Sequence, residues 1–326
     1  MSLKLLSLSE IKQSITMHQA IDAMETAFIQ LALSEAKLPL RTAVAIDAEK
    51  ALTLTMPAYL SKDKTLGLKV VSIFPHNLSQ GKPSITGLIL LLDANTGEPQ
   101  ALMDAGYLTA LRTGAISGLA TKYFARDDAS HVAIMGSGVQ AYSQLEAVAA
   151  VRPITRVSIW SRHIENAKDF AKKLEGQYDV HIYDSVTSAV VNADIICTAT
   201  GSTEPFIHHQ DLAPHVHINA IGSHSGLMRE ISNEVLNHAV VIVDQLEAAL
   251  AESGEIISAV EKNMLQKDAI IEIGQWLLRK DDDYKEQLTV FKSVGLAIQD
   301  LSVAQVVYQN ALTQGLGQEF TLNEEG

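Results

Sequence analysis

Residues 131–141, HVAIMGSGVQA, set the strongest limit on what this chain can fold into. An apolar run from Val132 to Met135 meets Gly136 and Gly138, and helix-like sequence begins at Val139. That order predicts a strand, a tight turn and a helix N-terminus, and Gly136-Ser137-Gly138-Val139-Gln140-Ala141 fits the pattern G-x-G-x-x-A. In such a turn the first glycine permits the bend and the second lets backbone approach a pyrophosphate. The small third residue lets the helix pack close to the strand. The helix N-terminus adds unpaired N–H donors and the positive end of a dipole. A lone glycine pattern is weak, but its setting here strengthens it. VAIM, RVSIW (156–160), DVHIY (179–183), DIICTAT (194–200), VHINAIG (216–222) and AVVIVD (239–244) read as strands. Helical segments such as IENAKDFAKKL and SVTSAVVNA lie between them. Alternation of this kind predicts a parallel sheet with helices on its faces.

The front of the chain has a different rhythm. Ser7-x-x-Glu10 and Thr16-x-x-Gln19 resemble capping boxes, and Ile21, Met24, Phe28 and Leu31 then recur on one helical face. LTLTMPAY, LKVVSIFP and ITGLILLLDANTGEPQALMD read as strands, with a hairpin turn around Asn95-Thr96-Gly97. Hairpin-joined strands make an antiparallel sheet. A long helix is expected from Tyr107, and after TVFKSVG (289–295) the tail LAIQDLSVAQVVYQNAL is helical. A chain of 326 residues suits two domains.

Composition narrows the partners. A formal charge of −13 argues against nucleic acid, whose phosphates call for a basic face. The longest apolar stretch, ITGLILLLDA, is far short of the ~20 residues that span a bilayer, and the N-terminus lacks the apolar core of a signal peptide. One cysteine, Cys197 in DIICTAT, allows no intrachain disulfide and reads as a buried, inert thiol. A cytoplasmic location is expected, without membrane or nucleic-acid partners. His208-His209 and His215-x-His217 have no Cys or carboxylate set at ligand spacing beside them, so no metal is expected.

The cofactor's identity turns on the end of the second strand. An NAD site usually places Asp or Glu there to hold the ribose 2′-hydroxyl. This chain has Trp160-Ser161-Arg162-His163. Ser161 can donate a hydrogen bond, and Arg162 can pair with a 2′-phosphate. NADPH is therefore expected over NADH, with Ser161, Arg162 and His163 assigned to the cofactor. Cations also stand within apolar sequence in the front region: Arg41 after LPL, Lys69 in GLKVVSIF, and Arg112 in LTALRTGA. Together they can clamp a carboxylate.

The segments GLKVVSIFPHN, TALRTGA, IMGSGVQA, INAIGSHSGLMREI, VDQLEAALAESGEI and TVFKSVGLAIQD resemble the ornithine cyclodeaminase/mu-crystallin family over nearly the whole chain. The resemblance implies an α/β protein in which a Rossmann-type parallel-sheet domain, residues 119–299, is inserted into an α+β substrate and dimerisation domain formed by residues 1–118 and 300–326. It implies a homodimer. It marks Lys69 and Arg112, and less closely Arg41, as substrate-carboxylate residues. It assigns Arg112, Thr113, Gly136, Gly138, Val139, Gln140, Thr198, Thr200, Ile221, Val294 and Gly295 to the cofactor.

The family hosts several chemistries. Its cyclodeaminases carry a proton-shuttling aspartate after an N-A-V/I-G-x element. Here that element is Asn219-Ala220-Ile221-Gly222-Ser223, and His224 stands in the aspartate's place. The glutamate expected just before Met56-Pro57 is also missing, since LTLTMP offers only Leu and Thr. Reduction of a cyclic ketimine asks for less: one gripped carboxylate, an oriented imine and a proton, with Lys69 or His224 as its source. The expected activity is NADPH-dependent reduction of Δ1-pyrroline-2-carboxylate or Δ1-piperideine-2-carboxylate to L-proline or L-pipecolate. The alternatives are an alanine-type amino-acid dehydrogenase, an ornithine cyclodeaminase, and a crystallin-like NADPH-binding protein without catalysis.

Overall fold

The computed structural model describes residues 2–280 and 282–321. Residues 322–326, which the family resemblance joins to the first domain, lie outside them. Strand β1 (Ser2–Leu6) leads into α1 (Leu8–Ser14) and α2 (Met17–Ala32). Both helices open with capping boxes. The Ser7 N–H donates to Glu10 Oε2 at 2.8 Å, and the Thr16 N–H donates to Gln19 Oε1 at 3.0 Å. Ile21, Met24 and Phe28 are buried along α2, as their three-and-four spacing requires. The chain continues through β2 (Ala36–Lys37), β3 (Thr42–Ile46), β4 (Ala51–Leu60), β5 (Thr65–Ile73), β6 (Ile85–Asp93), β7 (Pro99–Asp104) and the long helix α3 (Ala105–Phe124).

Strand and helix then alternate: β8 (His131–Met135), α4 (Val139–Val151), β9 (Arg156–Trp160), α5 (Ile164–Lys172), β10 (Asp179–Tyr183), α6 (Val186–Val190) and β11 (Ile195–Thr198). After these come β12 (His217–Ala220), α7 (Asn233–His238), β13 (Val240–Val243), α8 (Leu246–Glu252), α9 (Gly254–Glu261), β14 (Ile271–Glu272), α10 (Ile273–Arg279) and β15 (Thr289–Lys292). Helix α11 (Ala297–Gln314) and β16 (Gln318–Thr321) complete the described chain.

The chain divides into two compact units. One takes the chain as far as Arg112 and again from Leu296, and the other is Thr113–Gly295. The first holds a sheet in the order β16-β1-β7-β6-β5-β4-β2, with β3 paired to β4. Its ladders are antiparallel except β1 on β7. Successive side chains alternate between its faces. The row Met56, Lys69 and Ile89 is buried, and α11 packs on β4, β5 and β6. The next row, Pro57, Leu68 and Leu90, stays partly or fully exposed.

The second unit holds an all-parallel sheet in the order β10-β9-β8-β11-β12-β15-β13-β14. Both of its faces are covered. Val132, Ile134, Val157, Ile159 and Cys197 pack on one side, while Ala133, Met135, Ile196, Ile218 and Val290 pack on the other. The order reverses at β8 and β11, the switch point where ligands of such sheets bind. This is the Rossmann-type arrangement expected from the alternation. Among the described residues no helix is long and apolar enough to cross a membrane.

Candidate active site

In the first unit the alternation of β5 turns Lys69 inward, and α11 supplies its partner. The side chain is 2% exposed, and Nζ lies 2.7 Å from Asp300 Oδ2. Arg112, buried on α3, donates from Nε to Asp300 Oδ1 at 3.0 Å and from Nη1 to Gln299 Oε1 at 2.6 Å. Burial pushes Lys69 down to about 8, against the pull of Asp300; the charges of Arg112 and Arg41 add to the depression. The structure thus brings Lys69 and Arg112 together and puts Arg41, half-buried just before β3, within electrical reach. Two buried cations against one carboxylate leave a positive excess, and an anion is what such a site lacks.

In the second unit the glycine turn has the geometry a dinucleotide requires. Gly136 adopts φ +120°, and a Cβ there would meet Ala199 O at 2.6 Å. A Cβ on Gly138 would meet open space. Gly138 caps α4 without a side-chain hydrogen bond; the Ala141 N–H donates back to Gly138 O at 3.1 Å, and the Val139 and Gln140 N–H groups before it stand at the positive end of the helix, where a ligand phosphate is favoured. Val139 is 74% exposed, Gln140 is half-buried and Ala141 is buried against the sheet. Ser137 and Ser161 hydroxyls lie 3.0 Å apart. A cavity of about 250 Å³ is lined by Gly136, Trp160, Ser161, Arg162, His163 and Thr200, with Ser202 and Phe206. Arg162 and His163 are exposed at this rim, and among the described residues no carboxylate lines the cavity. These residues fit a dinucleotide at the switch point.

The end of β11 and the loops after β11, β12 and β15 carry further residues expected to serve the cofactor, and buried carboxylates that sequence reasoning missed hold them in place. Glu230 accepts from Thr198 Oγ1 at 2.8 Å, from the Thr200 N–H and Oγ1 at 2.7 Å each, and from the Gly222 N–H at 2.9 Å. Gly222 is required there, because a Cβ would meet Thr200 N and O at 2.4 Å. Ile221 donates its N–H to Thr198 O. Asp244 Oδ2 accepts from Ser293 Oγ and from the Val294 and Gly295 N–H groups at 2.7, 2.9 and 3.0 Å. Glu255 accepts from Ser223 Oγ and the Glu230 N–H and faces Lys292. Burial pushes Glu255 up, but Lys292 and the hydrogen bonds outweigh it and hold the carboxyl below its usual range. Thr113, the first residue of this unit, accepts at its carbonyl from Gln144 Nε2. His224 is exposed, with Nδ1 3.1 Å from Gly222 O. His217 is buried between Thr289 and Asn219, and burial depresses it to about 3, which keeps it neutral.

A parallel sheet reversing at β8, with a glycine turn and an uncapped helix end there, defines a Rossmann dinucleotide-binding α/β protein. The chain belongs to the ornithine cyclodeaminase/mu-crystallin family, whose sequence profile matches residues 2–315. It is 36% identical over 319 residues to the Δ1-pyrroline-2-carboxylate reductase of Bacillus cereus, covering 96% of this chain and 98% of that one. The solved Δ1-pyrroline-2-carboxylate reductase of Thermococcus litoralis, in complex with NADH and L-proline, superposes with a TM-score of 0.92 at 36% identity over 97% of this chain and 99% of that one. An archaeal alanine dehydrogenase dimer with bound NAD also gives 0.92, at 35% identity over 99% and 100% of the two chains.

Proposed function

We propose that this protein reduces cyclic ketimine carboxylates, Δ1-pyrroline-2-carboxylate or Δ1-piperideine-2-carboxylate, to L-proline or L-pipecolate at the expense of NADPH. The observation that carries this reading is the buried pair Lys69 and Arg112, both tied to Asp300. A carboxylate placed against them meets a rigid, desolvated, positively charged surface. The Bacillus and Thermococcus relatives, named for the same reduction, support it.

Lys69 and Arg112 grip the substrate carboxylate, with Arg41 adding its charge nearby. Gripping fixes the imine's orientation, which contributes several kcal/mol to barrier reduction. When bound, the nicotinamide supplies the hydride that the imine carbon accepts. The ring nitrogen takes a proton from Lys69, poised near 8, or from His224. A general acid works best with a pKa close to ambient pH. Gly136, Gly138, Val139 and Gln140 hold the pyrophosphate. Thr113, Thr198, Thr200, Ile221, Val294 and Gly295 would hold the rest of the cofactor, with Arg112 as a further candidate contact. Ser161, Arg162 and His163, without a carboxylate beside them, favour a 2′-phosphate and so NADPH over the NADH carried by the Thermococcus relative. The functional unit is a homodimer, in keeping with the archaeal dimer.

One assay tests the reading. Purified protein is mixed with NADPH or NADH and with cyclic ketimine carboxylates, 2-oxo acids plus ammonia, or ornithine, while cofactor absorbance and ammonia release are followed. The imines should be turned over with the highest kcat/KM, faster with NADPH, and Arg112→Ala should raise KM strongly. Lys69→Met and His224→Gln then separate the two proton sources. The alanine dehydrogenase relative favours a second reading, amination of pyruvate. Ammonia-dependent oxidation of cofactor at higher kcat/KM than with any imine would establish it.

A further inference from the structure

Gln299 lies in the first turn of α11 and is fully buried. Its Oε1 accepts from Arg112 Nη1 at 2.6 Å and from the Leu296 N–H at 3.1 Å. Two donors on one atom fix which end of the amide is oxygen. The other end, Nε2, is buried and has no hydrogen-bond partner among the described residues. A buried N–H left in this state costs free energy, and native structures keep such groups rarely. Nε2 shares a carbon with the oxygen that accepts from Arg112, which sets it beside the guanidinium.

We propose that Gln299 is a further substrate-binding residue, whose Nε2 donates to the same carboxylate that Arg112 grips. The inference rests on the reductase reading above and deepens it, because it names what selects the acid. The two cations attract any anion. A neutral, directional donor locked by Arg112 and Leu296 adds a demand for an acceptor at one place. A cyclic imine without the carboxylate leaves this donor unpaired, and sites of that kind discriminate strongly against the analogue that lacks the acceptor.

The test uses the full chain with NADPH. Gln299→Glu keeps an acceptor for Arg112 and Leu296 but replaces the donor, while Gln299→Met removes both. Each is assayed with Δ1-pyrroline-2-carboxylate and with Δ1-pyrroline. Equilibrium titration with pyrrole-2-carboxylate, an unreactive planar acid, is run alongside. Both variants should raise KM for the carboxylated imine and Kd for the acid about ten-fold or more. The preference over Δ1-pyrroline should fall by a similar factor with NADPH affinity nearly unchanged, while the thermal midpoint of Gln299→Met should drop because Arg112 and the Leu296 N–H lose their acceptor. Wild-type values for Gln299→Glu, or parallel losses on both imines, would overturn the assignment and leave Gln299 as a support for Arg112 only. If the wild type binds the acid but reduces no imine, the reductase reading fails while the titration still decides Gln299's role. If it neither binds nor reduces, both fall.

Discussion

At the scale of single residues, the clamp ties ionisation to binding. Lys69 must be protonated to hold a carboxylate, and its ammonium gives up its proton near pH 8. The value of kcat/KM for the imine should therefore be level below about pH 8 and fall roughly ten-fold per pH unit above it. Lys69→Arg, which stays charged, should remove that alkaline limb while changing KM. Asp300 is the chief influence holding Lys69 up, so Asp300→Asn should move the limb to lower pH. It should also cost about 3 kcal/mol of stability, because a buried ion pair loses one partner. Steady-state profiles on the three proteins, with urea titrations, measure both effects. Lys69 and Arg112 stood out in the sequence because a cation inside an apolar strand or helix has few reasons to be there. Their partners did not stand out. Gln299 and Asp300 sit in LAIQDLSVAQ and look like the polar side of an ordinary helix. Only their spacing among Ile298, Leu301 and Ala304, all buried, places them on the covered face.

At the scale of elements, the strand–turn–helix around Gly136 separates folding from binding. Gly136→Ala forces a side chain onto a left-handed backbone against Ala199 O, so thermal midpoint and NADPH affinity should both drop. Gly138→Ala meets nothing in the protein and should leave stability within about 0.5 kcal/mol. It should still weaken NADPH at least ten-fold, because the pyrophosphate needs that space. Differential scanning fluorimetry beside NADPH fluorescence titration distinguishes the two. The parallel strands and the hairpin were legible in sequence, since burial on both faces leaves continuous apolar runs and one-sided burial leaves alternation. The pairing of β1 with β7 and β16 was not: it joins the two ends of the chain, and no local pattern carries such a contact. Nor were the carboxylates Glu230, Glu255 and Asp244, whose main partners are N–H, hydroxyl and, for Glu255, ammonium groups that no local pattern points to.

At the scale of the whole molecule, the first unit leaves one side of its sheet apolar. Leu66, Leu68, Val70, Leu90, Leu92 and Leu102 are only half-buried in the single chain. A contiguous patch of this kind marks an interface, and a second copy related by two-fold symmetry covers it in the proposed homodimer. Sedimentation velocity should show a dimer for the wild type. Leu90→Arg, which sets a charge on this apolar face, should sediment as a monomer at micromolar concentration. A wild-type monomer would separate this surface from self-association.

Cys197 lies in the middle of β11, with no exposed surface and a thiol that burial pushes up to about 12. A lone sulfhydryl so placed is a natural clock for opening of the Rossmann unit. Ellman's reagent should colour only as fast as that unit unfolds, and saturating NADPH should slow the reaction by the extent to which it stabilises the fold.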